Sequence, residues 1–123
     1  MIDPKDLISG LDQFTGTEEY HRWSSVFPNF VLTDGAKFLA KEAECYWLMD
    51  MIASYRQIYA DEGFASATLS WVEDGTWVFT LDDGNGNILV TQKFEFSDFP
   101  LPAIGLFVAP QGDLWVIMLR SEY

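Results

Sequence analysis

The chain holds one histidine and one cysteine, the two side-chain types most often recruited for nucleophilic and proton-transfer chemistry. His21 stands in Glu19-Tyr20-His21-Arg22-Trp23, a polar and aromatic cluster that could bind something, though a surface or helix-packing histidine is the plainer expectation. Cys45 falls on an apolar stripe, where a free thiol behaves as a small hydrophobe. With one residue of each type, no internal disulfide forms and no Cys/His zinc set can be assembled. The loop Asp83-Gly84-Asn85-Gly86-Asn87 begins like an EF-hand calcium loop, but Ile88 and Phe94 occupy the positions that need Gly and a bidentate Glu. A plain hairpin is therefore expected there, and neither metal nor cofactor. No glycine-rich phosphate loop is present, so nucleotide binding has no motif behind it. Adjacent acids at Glu18/Glu19, Asp61/Glu62, Glu73/Asp74 and Asp82/Asp83 read as solvated turns. Asp50 is sharper. A carboxylate inside an apolar helical run is either solvated at a rim or paired in a cavity, and Tyr46 and Trp47 beside it could line such a pocket.

The elements that must position these residues follow from hydrophobic period. Asp3 and Pro4 suit the start of a short helix through Leu11, and Thr15 with Glu18 offers a capping box for a second through Trp23. Thr33-Asp34-Gly35 looks like another helix start. From about Ala36 to Tyr59, Cys45, Leu48, Ile52, Tyr55 and Tyr59 follow the spacing of one helical face, which predicts a single long helix. After Gly63 the period becomes two. Ala67, Leu69 and Trp71, then Trp77, Phe79 and Leu81, then Ile88, Val90, Phe94 and Phe96 are the expected inward positions, and Asp74-Gly75 and the Asp83–Asn87 run are the turns. Ile104 to Val108 and Leu114 to Leu119 form a last pair. The expected fold is α+β in one domain spanning 1–123: residues 1–60 mainly helical, residues 64–120 a strand meander. The long helix lies across a largely antiparallel sheet of about five strands.

Composition narrows the function classes. Nineteen acids against seven bases leave a net charge of −12, which argues against direct nucleic-acid binding, since that needs cationic side chains to displace counterions. Residues 61–123 hold ten acids against two bases, so the strand half is the acidic one. In a simple meander alternate turns share one end of the sheet, gathering Asp61, Glu62, Asp82, Asp83 and Asp113 without an accompanying Lys or Arg. Hydrophobic content of 49% with 16% aromatics excludes disorder. No apolar run approaches a membrane span and the N-terminus has no secretory pattern, so a cytoplasmic protein is expected. In Leu114–Leu119 both strand faces are apolar. The face bearing Trp115 and Ile117 is therefore a candidate dimer surface unless N-terminal segments with Leu7, Leu11, Phe14 and Trp23 cover it.

The runs Leu11-Asp12-Gln13-Phe14-Thr15-Gly16-Thr17, Leu32-Thr33-Asp34-Gly35, Tyr46-Trp47-Leu48-Met49-Asp50, Asp82-Asp83-Gly84-Asn85-Gly86-Asn87, Ser97-Asp98-Phe99-Pro100-Leu101 and Ser121-Glu122-Tyr123 together resemble a family of small uncharacterised bacterial, plasmid and phage proteins, a domain of unknown function. That resemblance implies a free-standing small protein linked to mobile elements and supplies no catalytic residue. The leading expectation is a non-catalytic acidic module that binds a basic protein, in the manner of an anti-CRISPR inhibitor that mimics nucleic acid. The alternative is a small-molecule-binding or enzymatic domain with its pocket between the long helix and the sheet, built from Tyr46, Trp47 and Asp50.

Overall fold

A computed structural model describes residues 2–95 and 97–123, without the Asp74 side chain. Met1 and the expected inward position Phe96 lie outside the described residues. Helix α1 (Pro4–Leu11) starts as its sequence predicts: Asp3 caps it by accepting from Lys5 N at 2.8 Å, with proline in the first turn. Strand β1 (Phe30–Leu32) leads into α2 (Asp34–Glu42), capped by the Thr33 hydroxyl on Ala36 N. Then come α3 (Tyr46–Ser54) and the single turn α4 (Arg56–Tyr59). Five strands follow: β2 (Ala65–Trp71), β3 (Trp77–Asp82), β4 (Ile88–Phe94), β5 (Ala103–Gln111) and β6 (Leu114–Leu119).

The architecture is α+β, as the periodicity predicts, with six strands among the described residues rather than about five. The added strand is β1, which pairs in parallel with β6 (Val31 beside Val116), while every other pairing is antiparallel. Two expectations fail. The long helix is broken, because Glu44 turns left-handed at φ +52°. Cys45 N then bonds back to Ala40 O at 2.9 Å and Glu44 N to Lys41 O at 3.3 Å, the hydrogen bonds of a Schellman stop. The apolar stripe survives the break: Cys45, Leu48, Ile52 and Tyr59 are all buried. Residues 15–23 contain no helix either. They form an irregular, bent segment, and His21 exchanges both backbone hydrogen bonds with Leu32 at 2.8 Å.

The strand order β1-β6-β5-β2-β3-β4 is not a simple meander. After β4 the chain crosses to the far side of β2 instead of pairing onward. Phe99-Pro100-Leu101-Pro102 makes that crossing. Its prolines cannot donate to a ladder, Phe99 and Leu101 are buried, and Phe99 meets Trp77 edge-on at 6.0 Å. One turn expectation shifts as well: a register irregularity between Leu81 and Asp82 leaves Ile88 exposed, and the inward place opposite Phe79 goes to Gln92.

The main core lies between the helices and one face of the sheet, and includes Leu32, Leu39, Met49, Phe79, Leu106 and Ile117. Trp115 belongs to it, stacked against Phe30 at 6.4 Å with Tyr59 edge-on at 5.3 Å. The expected dimer face of Trp115 and Ile117 is therefore corrected: both side chains are buried beneath the helical layer. So are Leu7 and, partly, Leu11, Phe14 and Trp23, which cover this face and not the opposite one. The opposite face has a smaller apolar cluster of Val31, Val116 and Met118 under Phe107 and Ala109. Phe64 and Tyr123 close over Phe107 with ring centroids 5.2 Å away, and the Arg120 guanidinium lies 5.3 Å above it.

Candidate functional site

Strand direction decides which acids meet. Ser66 at the start of β2 pairs with Asp82 at the end of β3, and Ala65 pairs with Val108 near the end of β5. The residues before β2, the β3–β4 loop and the β5–β6 turn therefore share one end of the sheet. Asp61, Glu62, Asp82, Asp83 and Asp113 sit there, and Gly84 lies against the Phe64 ring two residues beyond Glu62. A simple meander would group the same acids, but the chain does not adopt that topology. The grouping holds because β5, although displaced to the other side of β2, still runs antiparallel to it. The expectation that no base accompanies the acids is corrected at one corner. Arg22 donates to Pro28 O just before β1, and Arg56 lines the same small cavity as Pro28 and Asn29.

Asp83 is committed inside its own loop. Its Oδ1 accepts from Asn85 N at 2.8 Å and Asn87 N at 3.2 Å, and its Oδ2 accepts from Asn87 Nδ2 at 2.7 Å. These bonds, that from the Asn87 side chain foremost, hold its carboxyl below the ordinary carboxylate range. Gly84 and Gly86 supply the left-handed residues at φ +87° and +92° that let the amides converge. The partial calcium-loop pattern is thus accounted for by hairpin bonding.

The residues of the expected pocket do not share one cavity. On α3, Tyr46 and Asp50 are four residues apart and face one way, where Asp50 Oδ1 accepts from Trp23 Nε1 at 2.8 Å beside Arg22 and Ser24. Trp47 is one residue on and faces β4 instead. It lines a groove of about 290 Å³ with Met51, Gln92, Phe94, Ser97 and Asp98. Asp50 is thus the rim carboxylate, tied to an indole, and the groove carries a different acid, Asp98.

The cluster that sequence reasoning missed lies at the start of α2, at the opposite end of the sheet from the five acids. Asp34 Oδ1 contacts His21 Nε2 at 2.7 Å, and its Oδ2 accepts from Glu18 N at 3.0 Å. Its own amide donates to Thr17 Oγ1 at 2.8 Å. The bond from Glu18 N, then that from His21, hold the Asp34 carboxyl below the ordinary range, with partial burial opposing. Glu19 completes the group: donor atoms of Glu19, His21 and Asp34 lie within 4.8 Å of one another. From the other side Glu122 straps the C-terminus onto the same helix start, accepting from Thr33 Oγ1 at 2.6 Å, Gly35 N at 2.9 Å and Leu119 N at 3.0 Å. No spacing rule links residues 19, 21 and 34. The contact exists because residues 15–23 form no helix and His21 pairs with Leu32.

Segments around Thr17, Thr33-Asp34-Gly35 and Glu122, which carried the family resemblance, thus meet at one point of the fold. The sequence pattern of a family of unknown function, DUF6876, matches residues 5–123. The chain belongs to that family. Comparisons with characterised proteins and with solved structures give no match. Among the described residues no helix is long and apolar enough to cross a membrane.

Proposed function

We propose that this member of the family is a non-catalytic binding module that receives a basic protein surface on the acidic end of its sheet. The observation supporting this reading is the grouping of Asp61, Glu62, Asp82, Asp83 and Asp113 by antiparallel register, in a chain of net charge −12. Opposed charge of this kind accelerates encounter and rejects wrong partners, and it weakens as salt rises. In its most specific form the partner's basic surface is one that otherwise holds nucleic acid, and the chain acts as an inhibitor carried by a mobile element. The test is retention of bacterial lysate proteins on immobilised chain at low and moderate salt, with Asp61→Lys, Glu62→Lys and Asp113→Lys combined as the control. All three side chains are exposed. Basic proteins should be retained at low salt, released by salt or by added DNA, and lost on the reversed variant. Retention of no basic protein, or equal retention on the variant, overturns the reading.

A small-molecule site is the second reading, favoured by the groove that Trp47 and Phe94 line with the Asp98 carboxylate at its rim. Asp98→Asn and Trp47→Ala, screened against a ligand library by thermal shift, separate the two readings. If no ligand stabilises the wild-type chain through that groove, the pocket reading falls.

A further inference from the structure

The group at the start of α2 combines the chain's one imidazole with two carboxylates on separate stretches of backbone. We propose that Glu19, His21 and Asp34 bind a divalent first-row transition cation, with water completing the coordination. One nitrogen and two oxygen donors suit zinc, cobalt or manganese better than calcium or magnesium, which take oxygen almost exclusively. His21 Nε2 and Asp34 Oδ1 are 2.7 Å apart, a hydrogen-bond separation that opens to about 3.0–3.5 Å, by less than about 1 Å, when both atoms bind an ion whose bonds are about 2.0–2.2 Å long. The ion would replace the proton that the pair now shares. A neutral ring would keep its proton by moving it to Nδ1 through solvent, and a protonated ring would release the Nε2 proton to solvent; either way Nε2 presents its lone pair to the metal.

The surrounding contacts orient the donors. His21 is pinned through both backbone groups to Leu32, so its ring leaves a fixed point. Glu18 N occupies Asp34 Oδ2, which leaves Oδ1 aimed at the imidazole, the role outer hydrogen bonds play in metal sites. Glu19 is exposed and supplies the second oxygen, the third donor of the set, by side-chain rotation. A cation beside a helix N-terminus meets the positive end of the helix dipole. Here Glu122 takes the Gly35 amide and adds a negative charge to that end. Nothing in this inference draws on the acidic end of the sheet, so each can fail without the other.

Since His21 is the only histidine, ring 1H–15N correlation spectra report on the site without assignment. Chelator-treated full-length chain titrated with zinc should show a saturable shift of Nε2, accompanied by a rise in Tm, and magnesium or calcium should produce neither. His21→Gln should abolish the rise in Tm. Glu19→Gln, at an exposed position that does not threaten folding, should weaken zinc affinity by about tenfold or more. No saturation below about 1 mM zinc, or equal affinity in Glu19→Gln and wild type, would overturn the proposal and leave a bare His–Asp hydrogen bond.

Discussion

Cys45 has no solvent exposure, and its thiol lies 3.6 Å from Leu39 O. Burial, aided by the negative charge of Asp98, pushes its pKa from 9.0 up to about 12. Tyr59 is displaced upward for the same reason, its hydroxyl donating to Ile52 O at 2.9 Å. An unfolded chain releases these protons at lower pH than the native one, so the thiol's stabilising contribution is complete below pH 9 and is lost as pH rises between 9 and 12, while that of Tyr59 is lost only from pH 10 upward. Guanidinium midpoints should fall across that window, and less steeply for Cys45→Ala. At pH 8 the native thiol should resist a disulfide reagent that labels the unfolded chain at once. Equal labelling of both states would place Cys45 outside the core. The thiol's burial was legible from the 45-48-52-59 stripe. The partnership of His21 was not, because it depends on a residue thirteen positions away.

At the scale of elements the break between α2 and α3 is the informative feature. Propensity and period both favour continuing the helix through Ala43-Glu44-Cys45, and no glycine or proline marks a stop there. The stop forms nonetheless, with a non-glycine residue in the left-handed region. That conformation costs an L-residue about 1–2 kcal/mol, while glycine adds about 0.4–1 kcal/mol of unfolded-state entropy. Glu44→Gly should therefore stabilise the chain by about 0.5–1 kcal/mol, read as a higher denaturant midpoint at unchanged slope. A lower midpoint would mean that the Glu44 side chain makes a stabilising interaction that outweighs its backbone strain. What enforces the break is tertiary. α2 packs on α1 through Phe38, whose ring touches Gly10 and Phe14, whereas α3 must reach β4 through Trp47 and Phe94. One straight rod cannot meet both partners.

For the whole molecule, charge is the property that conditions everything else. Nineteen acids against seven bases repel one another more in the compact state than in the expanded one. Added salt, by shortening the screening length to about 8 Å at physiological strength, should therefore raise Tm by about 2–6 °C over the low-salt value. Scanning calorimetry at several sodium chloride concentrations measures this. A Tm that falls with salt would show that attractive pairs, not net repulsion, dominate the surface. The covering of the sheet also belongs to this scale. The helical face takes Trp115 and Ile117, and the other face is closed by Phe64, Tyr123 and Arg120 around Phe107.

Local chemistry along the chain determined the helix starts at Asp3 and Thr33, the glycine-bearing turn at Asp83–Asn87, the inward positions of β3, those of β2 at Ala67 and Leu69 but not at Trp71, which is exposed, and the α+β class. Each of these depends on neighbours within a few residues, so a sequence displays them directly. Tertiary structure alone decided which face of β6 the helices cover, that β5 inserts beside β2, that β1 joins as a parallel sixth strand, and that Glu19, His21 and Asp34 meet. Those outcomes depend on contacts between residues far apart in the chain. Two faces of one apolar strand are equivalent until a helix is laid on one of them. A histidine and an aspartate become a pair only after the backbone between them turns back on itself.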